Sequence, residues 1–371
     1  MYIASLPRVV TAGALLIFST SALAEPPDQE IEEISETTAN VGKSTERIIV
    51  PVPITDPQLG AGLGLGVAWF YSPQGSKVPW ATGAGALKTS NGSWAVAAFH
   101  KMSIADDKFR VEALGGRGSI ESKYYGTDPS SGDAPADMVQ DATYIRLVAM
   151  GRIARHLFAG AKVKYVDQAI TLTSADDSTD GELESLAGDT RILTLGPTFV
   201  FDSTDAGFAR KRGVLVKAEW LFSDSKTADD FNYSKLDITA NQYFQVRRDA
   251  VLVFRQSLCG ASDGTPFFDL CLFGSKSNLR GYETGEYRDK WSWSIQSEWR
   301  QQLTGKLGMV AFAGLGGVAE SLSAAPSERF LPSAGIGARY LVAKENGVNL
   351  RLDYAWGRSS SGVYVSIGEA F

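Results

Sequence analysis

The sequence predicts an all-β fold, a transmembrane antiparallel β-barrel of about sixteen strands. Three observations predict it. Segment after segment alternates with a period of two, with Arg, Glu and Asp beside glycines on one face and aromatics flanking the apolar face. Tight connections alternate with long ones along the chain. No stretch after Ala24 has the length and apolarity of a spanning helix, and a closed barrel is the other structure that pairs every backbone group in lipid.

The elements follow in order. Residues 1–24 carry one charge, Arg8, then an apolar stretch at 9–18, then Ser21-Ala22-Leu23-Ala24 with small residues where a signal peptidase cuts. They read as a secretory signal peptide, because the apolar core is too short to cross a bilayer. Residues 25–45 are acidic and poor in apolar side chains, and read as a periplasmic tail, mobile or forming a short helix. Residues 46–371 form the barrel domain. Its candidate strands are 46–54, 61–71, 79–89, 93–104, 109–119, 143–153, 157–172, 191–202, 214–222, 234–246, 251–258, 291–303, 307–318, 333–343, 348–356 and 362–371. The even count is the one bacterial barrels use.

Three of these show the pattern best. Val348, Leu350, Leu352, Tyr354 and Trp356 oppose Asn349, Arg351, Asp353, Ala355 and Gly357. Trp291, Trp293, Ile295 and Trp299 oppose Ser292, Ser294, Gln296, Glu298 and Arg300. Leu193, Leu195, Phe199 and Phe201 oppose Thr194, Gly196 and Thr198. Pro51 and Pro53 interrupt the first strand, which proline allows only at an edge or seam. Gly60, Gly62, Gly64 and Gly66 then recur at period two. Either another backbone approaches them closely or they make a flexible seam strand; no helix follows, so they are not a dinucleotide fingerprint.

The connections at 105–108, 154–156, 247–250, 304–306 and 344–347 are tight, and those at 120–142, 173–190, 259–290 and 319–332 are long and share one parity. The connection at 203–213 is the long exception on the short side. Cys259 and Cys271 flank a small loop at the top of one strand, and an oxidising compartment favours a disulfide between them. Two thiols with His100 and His156 far away in sequence make no metal site. The net charge of −6 and pI near 5.2 imply no broad basic surface and argue against nucleic acid as a partner.

Residues 274–290 are polar, glycine-rich and charged, and they separate two alternating strands. Within them Leu279-Arg280-Gly281-Tyr282 resembles the Arg-Gly-aromatic signature in the sixth extracellular loop of BamA/TamA-type outer-membrane assembly barrels, the bacterial surface antigen family. Thr265-Pro266-Phe267-Phe268-Asp269-Leu270, Tyr124-Tyr125-Gly126, and Asp202-Ser203-Thr204-Asp205 with Arg212-Gly213 are also similar to family segments. The final residues, with Val363, Val365, Ile367 and Phe371 on one face and Tyr364 between them, resemble the C-terminal signal read by the assembly machinery; Ser366 and Glu369 depart from it.

The resemblance implies several things. The sixth loop folds into the lumen and Arg280 docks on the wall, with Glu298 and Arg300 of the twelfth strand and Phe312 and Gly314 of the thirteenth as wall partners. The family often has aspartate at the position of Gly314, which leaves Glu298 as the carboxylate for Arg280, since a buried guanidinium needs one. A solvated loop arginine is the bland alternative. It implies localisation in the bacterial outer membrane, contact with outer-membrane lipids including lipopolysaccharide, dependence on the barrel-assembly machinery, and a periplasmic partner or client. Family members carry periplasmic repeats, and about twenty residues before the barrel hold none. The implied function is protein insertion or translocation, aiding protein or lipid movement into or across the outer membrane. The alternatives are a passive diffusion pore and a structural surface barrel.

Inward charges recur as Arg110 with Glu112, Lys162 with Lys164, Lys217 with Glu219 and Arg351 with Asp353, read as a hydrated wall with cross-strand ion pairs rather than a selectivity ring. Gly260-Ala261-Ser262-Asp263-Gly264 matches a nucleophile-elbow pattern but lies in a loop. No Ser–His constellation follows from spacing, so a membrane esterase is a third reading and a non-enzyme without cofactor the preferred one.

Overall fold

The computed structural model describes residues 47–371 except 57–59, 72, 74–79, 125–135, 174–187, 206–209, 226–231, 275–278, 283–285, 325–329, 344–347 and 359. The expected signal peptide, the acidic tail, and Tyr125 and Gly126 lie outside the described residues.

The described residues form eighteen strands: β1 Arg47–Asp56, β2 Gly60–Tyr71, β3 Trp80–Thr89, β4 Trp94–Ile104, β5 Phe109–Tyr124, β6 Ala136–Ala154, β7 Leu157–Thr173, β8 Gly188–Asp202, β9 Gly213–Ser225, β10 Asn232–Arg247, β11 Ala250–Ala261, β12 Cys271–Phe273, β13 Tyr287–Asp289, β14 Trp291–Gln302, β15 Leu307–Ala319, β16 Leu331–Ala343, β17 Val348–Trp356 and β18 Ser361–Ile367. Sixteen form one antiparallel sheet in chain order, and β12 pairs only with β13 inside the long connection between β11 and β14. Among the described residues no ladder joins β1 to β18. Among the described residues no helix is long and apolar enough to cross a membrane.

The two faces of the sheet differ as their alternation dictates. Leu193, Leu195, Trp220, Phe222, Ile295 and Leu352 are exposed on the outer face, whereas Thr194, Ser294, Gln296, Glu298, Arg351 and Asp353 are buried on the inner one. That inversion, apolar outside and charged inside, is the membrane-barrel arrangement. The inner face is not uniformly polar. Ala68, Phe70, Ala81, Leu87, Phe99, Leu114 and Tyr144 form an apolar cluster on the wall of β2–β6.

The structure lengthens several expected strands. β5 runs on to Tyr124 and β6 begins at Ala136, through residues read from sequence as loop. Their ladder continues because the period-two pattern persists with polar inward residues: Gln140 is buried and its amide donates to Gln168 Oε1 at 2.7 Å. Conversely β18 stops at Ile367, and Gly368, at φ +88°, turns the chain inward. Phe371 therefore does not share the outer face with Val363. It packs inside against Leu215, Tyr243, Val251 and Val253.

The inward charges form ion pairs along the wall. Arg110 bonds Asp107 in the β4–β5 turn rather than Glu112, and Glu112 faces Lys101 and Arg146. Lys162 bonds Glu219 at 2.9 Å rather than neighbouring Lys164. Glu112 is met from the adjacent strands β4 and β6, Lys162 reaches Glu219 across β8, and Arg351 lies 3.5 Å from Asp353 on the same strand.

Candidate functional site

The connection from β11 to β14 folds back into the barrel in two parts. The first is the loop closed by the Cys259–Cys271 disulfide, whose sulfurs join the end of β11 to the start of β12. Its short 3-10 turn, Phe267–Asp269, reaches across the lumen. Phe267 packs on Ala136, Met138 and Ile170 of β6 and β7. Asp269 accepts from Tyr233 Oη at 2.6 Å and lies 3.2 Å from Lys235 Nζ, both on β10. One loop is thus fixed to walls on separate parts of the sheet.

The second part is Leu279–Tyr282, and all four residues are buried. Leu279 packs with Phe273, Tyr282, Tyr287, Val318 and Leu331. The space it occupies exists because residue 314 is glycine. A Cβ there would lie 2.4 Å from Leu279 Cδ1 and 2.7 Å from the Ile295 carbonyl oxygen.

Arg280 is 0 % exposed and makes four hydrogen bonds from its guanidinium to the inner wall. Nε and Nη2 both donate to Gln296 Oε1, at 3.1 and 2.7 Å. Nη2 also donates to Glu298 Oε2 at 2.5 Å, and Nη1 to Asp353 Oδ2 at 2.5 Å. Its Cζ sits 3.4 Å from the centroid of the Phe312 ring. Its charge, each of its three nitrogens and its planar face find partners, which is how a buried arginine offsets its desolvation. Ser333 Oγ donates to the Arg280 carbonyl, so the backbone is held as well.

Gly281 permits this path. Its φ is +106°, and a Cβ would meet Gly357 N at 2.8 Å. Its N–H donates to Tyr364 Oη at 2.6 Å, and its carbonyl accepts from Ser360 Oγ at 2.7 Å. Tyr282 donates to the Pro332 carbonyl at 2.5 Å and accepts from the Arg358 N–H at 2.9 Å. The tetrapeptide therefore grips β14, the start of β16 and the β17–β18 hairpin together.

Around Arg280 the charges form a ring. Arg300 does not touch it but bonds the second oxygen of Glu298 at 2.7 Å, and donates to the Phe371 main-chain oxygen at 2.7 Å. Arg339 bonds Asp353 at 2.5 Å and Glu369 at 2.8 Å. Glu369 also accepts from Asn349 at 2.8 Å.

Of the residues singled out from sequence, Leu279, Arg280, Gly281, Tyr282, Glu298, Phe312 and Gly314 meet in one place, and Arg300 stands one bond removed. Tyr364 points inward to Gly281, Phe371 is inside the lumen, and the side chain of Ile367 lies outside the described residues. Glu298 pairs with Arg280, and Asp353 supplies a second carboxylate from β17. Gln296, Ser333, Arg339 and Glu369 were missed. Inward parity on β14 and β17 was the available signal for Gln296 and Asp353, but parity does not say which strands a loop reaches.

Elsewhere, Ser262 Oγ accepts from the Ser234 N–H at 2.9 Å and donates to the Asp263 carbonyl at 3.2 Å. His100 bonds Thr82, and His156 the Asp202 carbonyl, so neither reaches Ser262. Among the described residues no group of three or more His, Cys, Asp and Glu is placed to hold a metal.

The family model of the Omp85 superfamily domain matches residues 133–371. No curated protein matches the sequence. Among solved structures, BamA from Haemophilus ducreyi lacking POTRA domains 1–3 aligns with a TM-score of 0.59 at 10% identity, over 92% of this chain and 77% of that one. CdiB from Acinetobacter baumannii aligns with a TM-score of 0.55 at 12% identity, over 86% of this chain and 59% of that one. CdiB from Escherichia coli gives 0.53 at 11%, over 92% and 69%. At such identities the likeness is one of fold.

Proposed function

The chain belongs to the Omp85 superfamily, and on that premise we propose that it is a bacterial outer-membrane barrel that aids the movement of protein or lipid into or across that membrane. The observation that carries the reading is the grip of Leu279–Tyr282 on the β17–β18 hairpin. A loop docked there braces the last strand of the sheet from inside. On the other edge, Pro51 and Pro53 remove two backbone donors from β1, and glycines at 60, 62, 64 and 66 weaken β2. A strong sheet with one weak edge pair fits passage through a seam between β1 and β18.

In this reading residues 46–371 are the barrel, delivered by a cleaved leader and followed by assembly into a membrane that contains lipopolysaccharide. In this reading a periplasmic partner captures the client. Nothing catalytic is assigned to the barrel. The test is a cysteine pair, one within Arg47–Asp56 and one within Ser361–Ile367, introduced beside the native disulfide. Oxidation that locks the seam abolishes the activity in cells, and reduction restores it. Full activity with the seam locked overturns the reading.

A passive pore is the second reading, favoured by the cavity of about 240 Å³ between Arg146, Lys162, Lys217, Glu219 and Asp237 inside the wall. Planar-bilayer conductance separates the two. A lumen plugged by the docked loop conducts poorly, and Arg280→Ala raises the current. A large wild-type current that Arg280→Ala leaves unchanged favours the pore.

A further inference from the structure

The net charge of −6 conceals an uneven distribution. Three neighbouring connections at the short-turn end, β6–β7, β8–β9 and β10–β11, carry Arg155, Arg210, Lys211, Arg212, Arg247 and Arg248. The Asp202 N–H donates to the His156 carbonyl at 2.8 Å, and Arg212 Nε donates to Gln245 Oε1 at 2.9 Å, so each connection is tied to the next. Neighbouring hairpin turns stand two strands, about 10 Å, apart, so the cations line an arc about 20 Å long. Elsewhere at this end, among the described residues, Lys108 sits beside Asp106 and Asp107, and Lys306 lies 5.9 Å from the Tyr340 ring.

The acids along the arc are Asp202, Asp205 and Asp249, and they are engaged. Asp205 Oδ1 accepts from the main-chain N–H groups of Lys211 and Arg212, at 2.9 and 3.2 Å. Asp249 accepts from Gln301 Nε2 at 2.9 Å. Asp202 accepts from the Thr204 N–H at 3.0 Å and lies 3.7 Å from Arg210. Arg155, Lys211, Arg247 and Arg248 are exposed, and their side chains have no ionic partner among the described residues.

These cations begin where the apolar outer face ends. Ile153, Phe201, Phe244 and Val246 are exposed on that face, and the Phe244 ring meets Phe254 edge-on. Arg155 follows Ile153 by two residues and Arg248 follows Val246 by two, so each cation lies within about 7 Å of the last apolar residue of its strand. The headgroup layer of a bilayer is about 5–7 Å deep on each side of the hydrocarbon core. With the apolar face in hydrocarbon, the four charges stand at the depth of lipid phosphates, against an aromatic belt. An acidic protein matches the charge but not the apolar face that runs into it, whereas a lipid meets both at once.

We propose that Arg155, Lys211, Arg247 and Arg248 bind the headgroups of anionic phospholipids in the leaflet at the short-turn end. The inference rests on the reading that the barrel lies in a membrane. Guanidinium forks bond phosphate oxygens in pairs, and the lysine adds a point charge. Each cation near an anionic surface is worth about fivefold in affinity, and salt screens it. The arc lies midway along the strand order, as far from the β1 and β18 edges as the sheet allows. Lipid held there orders the bilayer on that side and leaves the membrane at the two edges free to rearrange.

The test reconstitutes the whole exported protein into nanodiscs of mixed phosphatidylcholine and phosphatidylglycerol, then counts by mass spectrometry the lipid that stays on the barrel when detergent releases it. The proposal expects phosphatidylglycerol to be retained in preference to phosphatidylcholine. The preference falls about tenfold or more in Arg155→Gln/Lys211→Gln/Arg247→Gln/Arg248→Gln, and it falls with added salt. Lys306→Gln, away from the arc, leaves it unchanged. Heat-modifiable migration on gels checks that each variant is folded. If the fourfold variant does not fold, Arg155→Gln/Arg248→Gln must lower the preference about fivefold or more. Equal retention of the two lipids overturns the proposal, as does a preference that the arc variants keep or that Lys306→Gln loses equally. Displacement of the lipid by inorganic phosphate at matched charge assigns the arc to free phosphate and also overturns it. A folded chain that enters no nanodisc refutes the membrane reading together with the proposal; one that enters and shows no preference refutes the proposal alone.

Discussion

Arg280 has no exposed surface and three side chains to satisfy it, Gln296, Glu298 and Asp353. Removing one member of such a buried set leaves the others uncompensated, at a cost of about 3–5 kcal/mol. Arg280→Ala therefore releases the loop, and the unfolding temperature followed by heat-modifiable migration falls. Arg280→Lys keeps the charge but not the planar fork, and falls between wild type and Ala. Gly281→Ala gives a similar loss without touching a charge, because φ is +106° and its Cβ meets Gly357.

At the opposite end, Asp107 is buried in the β4–β5 turn. Burial alone raises its pKa, but hydrogen bonds and charge from Arg110, Ser103 and Arg152 outweigh that and hold it below the ordinary 3.8. A lowered folded pKa means stability that is complete above the unfolded value and is lost as pH falls through the folded one. Asp107→Asn thus lowers the unfolding temperature at pH 7, and the gap to wild type closes below about pH 4. The arginine motif was legible from its residues and its place before an alternating strand. Asp353 was not, because its partner lies 73 residues away and only the folded sheet with its docked loop brings them together.

The strands were legible wherever one face is apolar and the other charged, as in β14 and β17. Their ends were not. β5 and β6 continue past the apolar belt on polar pairs such as Gln140–Gln168, where no hydrophobic contrast marks the strand. The last element failed in the other direction: its alternation continues on paper through Phe371, but Gly368 turns the chain, and Glu369 finds Arg339 inside. The 259–271 loop is held by its disulfide and by Phe267 and Asp269. Cys259→Ser/Cys271→Ser frees it, at a cost of about 2–4 kcal/mol. The expected readout is faster proteolysis between residues 261 and 271 in intact cells. Unchanged cleavage places the restraint on Phe267 and Asp269 instead.

At the scale of the molecule, one sheet of sixteen strands runs from the β1 edge to the β18 edge, and its inner face holds its own long loop. Strand number and the side of each long connection were readable because a barrel imposes strict parity on both. How the loop couples to the last hairpin was not, since nothing local in Tyr364 or Ser360 marks them as partners of Gly281. That coupling leads to a cellular expectation: if the barrel moves protein or lipid through its seam, cells without it lack what it delivers. The decisive measurement is a quantitative comparison of outer-membrane protein and lipid content with and without this gene. The account predicts selective loss of another membrane protein or of a surface lipid, restored by the wild-type chain but not by Arg280→Ala. Unchanged protein and lipid content would contradict it.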